Sequence, residues 1–465
     1  MAASQEVHAV FGEGSGYKIG GVSGSFDSGS IHAQPPYPYW MVPLLILTMT
    51  VAAACTGEAQ TTIAISAATT PTAALTTTTA APTTTDPILD AQMWKRVGRG
   101  EVVFGGHDAQ VMISGVAAGP GLVVVGADLS GGDADVAVWT SSDGFTWARV
   151  PHDGENLGGR GDQIALDVTV GDPGLVMVGW DSSGGEIDAA VWTSVDGTRW
   201  QRTPHDEEIF GGPDWQVMNA VVAVGGLGLV AVGEDRSAHT GAVWISSDGH
   251  SWVRVDDEAL DGIDRLEDVI AHGPGVLAVG STSGRTGSHG VVLVSSDGLA
   301  WQRFDSSVRA RSEDMLAVVS GESGLVAVGQ AWYAGGGDRP GDGDWDAVVW
   351  RTTDYTVWPK PQATGDILGG PPDDQLMSDV ATGGPGYVAV GCERCHEGEA
   401  DAAIWTSTDG NSWQRVPHDE QNLGGPGRQD IFAVFVGGPG LVAVGLDTSG
   451  GDIDAAVWVT STSAG

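Results

Sequence analysis

Residues Ala137–Trp147 read AVWTSSDGFTW, and the rest of the chain is built around returns of that stretch. Val138 and Trp139 lead in as a strand, Asp143-Gly144 supplies a hairpin turn, and Trp147 starts the returning strand. Copies follow at Ala190–Trp200 (AVWTSVDGTRW), Ala242–Trp252 (AVWISSDGHSW), Val291–Trp301 (VVLVSSDGLAW), Val348–Trp358 (VVWRTTDYTVW) and Ala403–Trp413 (AIWTSTDGNSW). The last, AAVWVTSTSAG from Ala455, keeps Trp458 but has no returning strand. Working outward in the second unit, two more strands precede the copy, ALDVTVG (Ala165–Gly171) and GLVMVG (Gly174–Gly179), and the strand RWQRTP follows its turn. GLVMVG is apolar on both faces, as suits a strand sandwiched between neighbouring sheets. Four strands per unit predict a propeller blade.

The tryptophans that open the returning strands, Trp94, Trp147, Trp200, Trp252, Trp301, Trp358 and Trp413, are 49 to 57 residues apart. That period is longer than the ~40–45 of WD40 repeats and near the ~50 of kelch repeats. At the start of the repeats, Met93–Gly106 matches only the end of a unit, whereas the last unit lacks its fourth strand. Together they make one blade. The predicted fold is therefore all-β, a seven-bladed β-propeller of four-stranded antiparallel blades, with the N-terminal strand closing the last blade and leaving no open edge.

The 465 residues carry 21 Lys+Arg against 60 Asp+Glu, a net charge of −39, with 72 glycines. Such a surface repels phosphate backbones and anionic lipid, which excludes nucleic acid as a partner. Residues 1–40 show no strand or helix period. Residues 41–54, MVPLLILTMTVAAA, are too short for a span of about 20 residues but suit a signal-peptide core. Ala52-Ala53-Ala54-Cys55 resembles the cleavage box of bacterial lipoproteins, which implies lipidation at Cys55. Residues 56–86, rich in Thr, Ala and Pro, read as a solvated linker, and residues 87–465 as the propeller. The expected location is extracellular or at the cell envelope, with the membrane touched only through the N-terminal lipid, and the expected state is a monomer.

The repeated turn S-x-D-G-x-[ST]-W, as in Ser141–Trp147 and Ser246–Trp252, resembles the Asp-box (BNR) repeat of sialidase-like propellers. In five of the boxes here, Asp143-Gly144, Asp196-Gly197, Asp248-Gly249, Asp297-Gly298 and Asp409-Gly410, Asp and Gly are adjacent. The resemblance implies a structural role for Asp143, Asp196, Asp248, Asp297, Asp354 and Asp409. Sialidase chemistry, as the resemblance would imply it, needs three arginines gripping a substrate carboxylate. Six arginines, Arg96, Arg149, Arg202, Arg254, Arg303 and Arg415, instead follow a repeat Trp by two residues and belong to the unit.

Subtracting the repeat leaves Trp180, Trp215, Trp332 and Trp345 in the connections opposite the Asp-Gly turns. With Tyr333 and Arg339 of the long loop Gly329–Ala347, they are the candidate ligand-binding residues, suited to stacking on sugars or peptides. The alternative is that they pack their loops. Three loops repeat Asp-x-Ser-Gly-Gly-acid-x-Asp and make a candidate Ca2+ set: Asp128, Asp133 and Asp135; Asp181, Glu186 and Asp188; Asp447, Asp452 and Asp454. The PHD turns at His152, His205 and His418 read as loop fasteners. Cys392 and Cys395 in CERCH formally fit haem attachment, but read better as a local disulfide.

No catalytic constellation is assigned. The chain is read as a binding module that takes a glycan or protein ligand on its loop-rich face. The rival readings are a glycan-processing hydrolase or lyase using carboxylates such as Asp342, Asp344 and Asp346, and a structural envelope protein.

Overall fold

In the computed structural model the described residues are 17–19, 22–24 and 94–460, the last apart from 99, 101–102, 107, 119–120, 285–286, 307–311, 335–342, 360–367, 369–373, 384–385, 396–398 and 439. Cys55, Arg339, Asp342, the apolar run 41–54 and the linker 56–86 lie outside them, as do the side chains of Tyr333 and Asp344. The chain divides into residues 1–68 and 69–465. In the first, Tyr17–Ile19 pairs antiparallel with Val22–Gly24. The sequence predicts no strand there, because three residues are too few for alternation to register.

The second unit is a ring of seven antiparallel sheets, numbered here as blades in chain order. Blade two shows the plan: an inner strand Gln163–Gly171, a second Gly174–Asp181, a third Asp188–Ser194 and an outer Gln201–Arg202. The second strand is buried from Val176 to Trp180 because a neighbouring blade covers each face. Its Gly179 is demanded by backbone contact, since a Cβ there would lie 2.0 Å from the Ile164 carbonyl oxygen, where the inner strand bulges between Ala165 and Asp167.

Each inner strand contacts the next around the ring, and that of blade seven (Gln429–Gly437) contacts that of blade one (Gln110–Ala118). Blade seven takes its outer strand from the other end of the repeats, with Trp94–Arg96 lying along Asp454–Thr460 in the register Thr460↔Trp94 and Trp458↔Arg96. Blade five departs from the predicted four strands. It has three among the described residues, Ser312–Gly321, Gly324–Ala334 and Gly343–Thr352. Pro359 follows Trp358 where the other units continue with Gln or another N–H donor, so the ladder loses the donor it needs.

Two sets of side chains fasten the ring. In each Asp-Gly turn the carboxylate accepts backbone N–H groups; Asp196 accepts from Thr198 and Arg199 at 2.8 and 2.9 Å, which pulls its pKa down to about 2. Gly197 there has φ 75°, a left-handed value that favours glycine. On the opposite face the tryptophan of a third strand donates its indole N–H to the loop that ends the preceding blade: Trp139 to Val103, Trp192 to Asn156, Trp244 to Ile209 and Trp458 to Asn422, at 2.6–2.7 Å. The repeat arginine lies over that indole and pairs with the carboxylate ending the second strand, as Arg202 does with Trp192 and Asp181.

Around the ring axis, Asp167, Asp268 and Asp379 of the inner strands of blades two, four and six accept the N–H of Val221, Val318 and Val434 of the next blade at 2.7–2.8 Å. Burial raises their pKa values to about 6, 7 and 6 from the ordinary 3.8. Between about pH 4 and 7 the folded chain thus holds protons that the unfolded chain releases. Their contribution is fully present below about pH 4 and is lost as pH rises through the folded values, about 3–4 kcal/mol for each group. The turn carboxylates act oppositely: Asp196 and Asp248, lowered to about 2, contribute above their ordinary pKa and lose that contribution only as pH falls toward 2. Stability measured by denaturant titration is expected to peak near pH 4–5 and to fall toward pH 7.5, with Asp268→Asn flattening the fall. A curve rising steadily from pH 4 to 7.5 contradicts this assignment.

Candidate functional site at the loop-side mouth

The starts of the inner strands and the ends of the second strands meet opposite the Asp-Gly turns. There blades one, two and six are apolar on both strands: Val111, Ile164 and Leu376 occupy the inner-strand position, and Ala127, Trp180 and Cys392 its partner position. Blades three, four, five and seven break that rule. Arg265, Asp314 and Asp430 take the inner-strand position in blades four, five and seven, and Glu234 takes the partner position in blade three (Gly228–Asp235); Asp430 is paired within its own blade, with Arg428.

The replacements in blades three to five join into one chain of charge. Arg236 stacks on the Trp215 ring at 4.8 Å and reaches Glu234 with its Nε at 3.5 Å. Glu234 lies 3.7 Å from Arg265 Nε, and Arg265 Nη1 donates to Glu267 Oε1 at 3.1 Å. Glu267 sits at the inner-strand bulge of blade four, between Leu266 and Asp268. Burial pushes its pKa up to about 7, Arg265 opposes the rise, and the nearby Glu234 and Asp314 add to it. Its side chain nevertheless keeps 13% of its surface open. Asp314 is raised by burial too, and it accepts from Ser288 at 2.8 Å and Gln330 at 3.2 Å.

Trp332 and Trp345 stand in register across the long hairpin of blade five and are half-buried. Trp332 lies two residues beyond Gln330 and opposite Ser312, two residues from Asp314, so the hairpin rises beside the cluster. Trp215 is likewise half-buried. Three of the four predicted aromatics thus flank the charged chain. The fourth is corrected: Trp180 is 2% exposed, because the second strand of blade two continues through Asp181 and carries the ring into the core.

The Ca2+ reading is corrected for the leading residue of each loop. Asp181 accepts from Gln163 and the Ser183 N–H through one oxygen and pairs with Arg202 through the other. Asp128 is held in the same way by Gln110, Ser130 and Arg149, and Asp447 by Gln429, Ser449 and Arg96. Those oxygens fasten the blade. Glu186 and Asp452 are exposed, while Asp133, Asp135 and Asp454 are half-buried. Asp188 alone of the nine falls within ligand range of two other groups, His205 and Glu207, among the described residues. Cys392 and Cys395 are joined by a disulfide with S–S 2.16 Å and pack with Leu376 and Ala400. Arg96, Arg149, Arg202, Arg254 and Arg415 all pair with carboxylates that end second strands, and Arg303 pairs with Asp305. No triad of substrate-gripping arginines forms from the repeat set.

No family model matches this chain, and no curated protein matches its sequence. Among solved structures, it is similar to the α-L-arabinofuranosidase of Fusarium graminearum in complex with arabinobiose, at 14% identity and TM-score 0.41 over 64% of this chain and 93% of that one. It is also similar to the exo-β-1,3-galactanase of Clostridium thermocellum, at 15% identity and TM-score 0.33 over 78% and 87% of the two chains. A third is an N-acetylgalactosamine deacetylase from F. plautii, at 14% identity and TM-score 0.34 over 52% and 86%. At such values the chemistry of this chain is argued from its own residues.

Proposed function

We propose that this propeller is a binding module that takes a hydroxyl-rich ligand of the glycan class at the loop-side mouth of its ring. One observation carries the reading: the continuous array Trp215, Arg236, Glu234, Arg265 and Glu267, which puts an aromatic platform beside alternating donors and acceptors. Sugars are recognised by that combination, with apolar ring faces on aromatics and hydroxyls on charged groups. The likeness of the Asp-Gly turns to Asp-box repeats supports it. The lipobox-like run ending in Cys55 and the Thr-rich linker support display at the cell envelope, and the Cys392–Cys395 disulfide supports an oxidising location.

A specific observation favours a second reading, glycoside hydrolysis. Glu267, held near 7 by burial, has the protonation a general acid needs at neutral pH, and Glu234, between two arginines, is a second carboxylate. Calorimetry of the full chain against a glycan panel, with sugar release followed in parallel, separates the two. Trp215→Ala is expected to weaken binding at least tenfold, about 1.4 kcal/mol. Glu267→Gln is expected to leave binding within a few-fold if the protein only binds, and to abolish sugar release if it is a hydrolase. Binding unchanged in Trp215→Ala overturns the site.

A further inference from the structure

Away from the mouth, blade two gathers a second group of side chains. Asp188 opens its third strand, and His205 and Glu207 lie on the loop after its outer strand. Asp188 Oδ2 is 3.8 Å from His205 Nε2, which is 3.2 Å from Glu207 Oε2. Donors bound to zinc at about 2.0–2.1 Å and tetrahedral angles stand about 3.3–3.4 Å apart; these two edges bracket that spacing, and all three donor atoms lie within 4.8 Å of one another. Asp188 is only 8% exposed, and beyond the His205 ring at 3.8 Å its carboxylate has no hydrogen-bond partner among the described residues. It lines a cavity of about 170 Å³ together with Ser183, His205 and Phe210. Its oxygens face that cavity, so their lone pairs are open to a cation entering it.

The other blades act as internal controls. Blade one has the same pair, Asp135 and His152 at 3.8 Å, but Gly154 stands where Glu207 would. Blade six has His418 and Glu420 at 3.4 Å, but there the Arg394 guanidinium already occupies the Asp401 carboxylate. In blade two the residue at Arg394's position is Ser182, which brings no charge. Among the described residues, all three donors and an unclaimed aspartate therefore coincide only here.

We propose that Asp188, His205 and Glu207 bind a divalent transition-metal ion. One imidazole and two carboxylates suit Zn2+ or its neighbours rather than Ca2+, which takes six to eight oxygens. Three protein donors leave a coordination position for water or a ligand oxygen.

The test is titration of the chelator-stripped full chain with ZnCl2, by calorimetry and by metal analysis after dialysis, with CaCl2 in parallel. The expected result is one equivalent of Zn2+, weakened at least tenfold by His205→Ala and by Glu207→Ala and unchanged by His152→Ala, with Ca2+ not competing. His205 and Glu207 are largely solvent-facing, so both variants are expected to fold. No stoichiometric Zn2+, binding unchanged in both variants, or equal loss in His152→Ala each overturns the site.

Discussion

A chain that starts after residue 98 is expected to lose about 5 kcal/mol of stability and to self-associate as its concentration rises. The missing strand is only Trp94–Arg96, yet it carries a large share of blade seven. Trp94 is fully buried against Val388, Val390, Ile404 and Trp458. Losing a buried tryptophan costs about 3–5 kcal/mol. Arg96 adds the pair with Asp447 at 2.7 Å and bonds to the Asn422 and Gly424 carbonyls. Without the strand, Asp454–Thr460 becomes a bare sheet edge ready to pair with another molecule. The inner strands still meet around the axis, so the ring is expected to stay folded at low temperature while its melting point drops. Calorimetric scans and light scattering check this; a melting point equal to the full chain's contradicts the pairing.

Trp192→Ala is expected to cost about 3–5 kcal/mol, with Trp192→Leu costing about half as much. The indole is fully buried among Val136, Val138, Val168 and Met177, and its N–H holds the Asn156 carbonyl of the previous blade at 2.7 Å. Truncation leaves a cavity and an orphaned carbonyl at the seam between blades. Blade four has already made the milder exchange, since Leu293 stands at this position. Its arginine, Arg303, has no ring beneath it among the contacts seen and pairs with Asp305 of its own strand instead. Chemical denaturation of both variants beside wild type checks the ranking; equal losses remove the hydrogen bond and packing of the indole from the explanation.

How much of this was legible in the chain depends on how local the signal is. The blade plan is written in single units, in the S-x-D-G turn, the apolar second strand and the paired tryptophans, and the orphan strand at Trp94 was found by counting ends. The disulfide needed only the spacing of Cys392 and Cys395. Trp180 was misplaced because a tryptophan just after Gly179 looks like the start of a loop, while the strand runs on to Asp181. The mouth cluster was missed because Glu234, Arg265, Glu267 and Asp314 lie in three different units and meet only once the ring has closed. A trace was present in the inner-strand openings, where DRLED and EDMLA replace QIALD and QVMNA. Aligning units column by column marks those charges as departures. His205 was read as a fastener because the same PHD occurs three times, and what distinguishes blade two is a neighbour, Glu207, together with the absence of an arginine.

The burial of the tryptophans also sets how this protein reports on itself optically. Trp139, Trp192, Trp244, Trp350, Trp405 and Trp458 are fully enclosed, and Trp147, Trp200, Trp252, Trp301 and Trp413 nearly so. Enclosed indoles are expected to emit to the blue and to be shielded from collisional quenchers. The half-open rings of Trp215, Trp332 and Trp345 emit to the red of that background. Exciting at the red edge of the absorption band and watching the long-wavelength side of the spectrum is therefore expected to weight the signal toward the mouth over the enclosed scaffold rings.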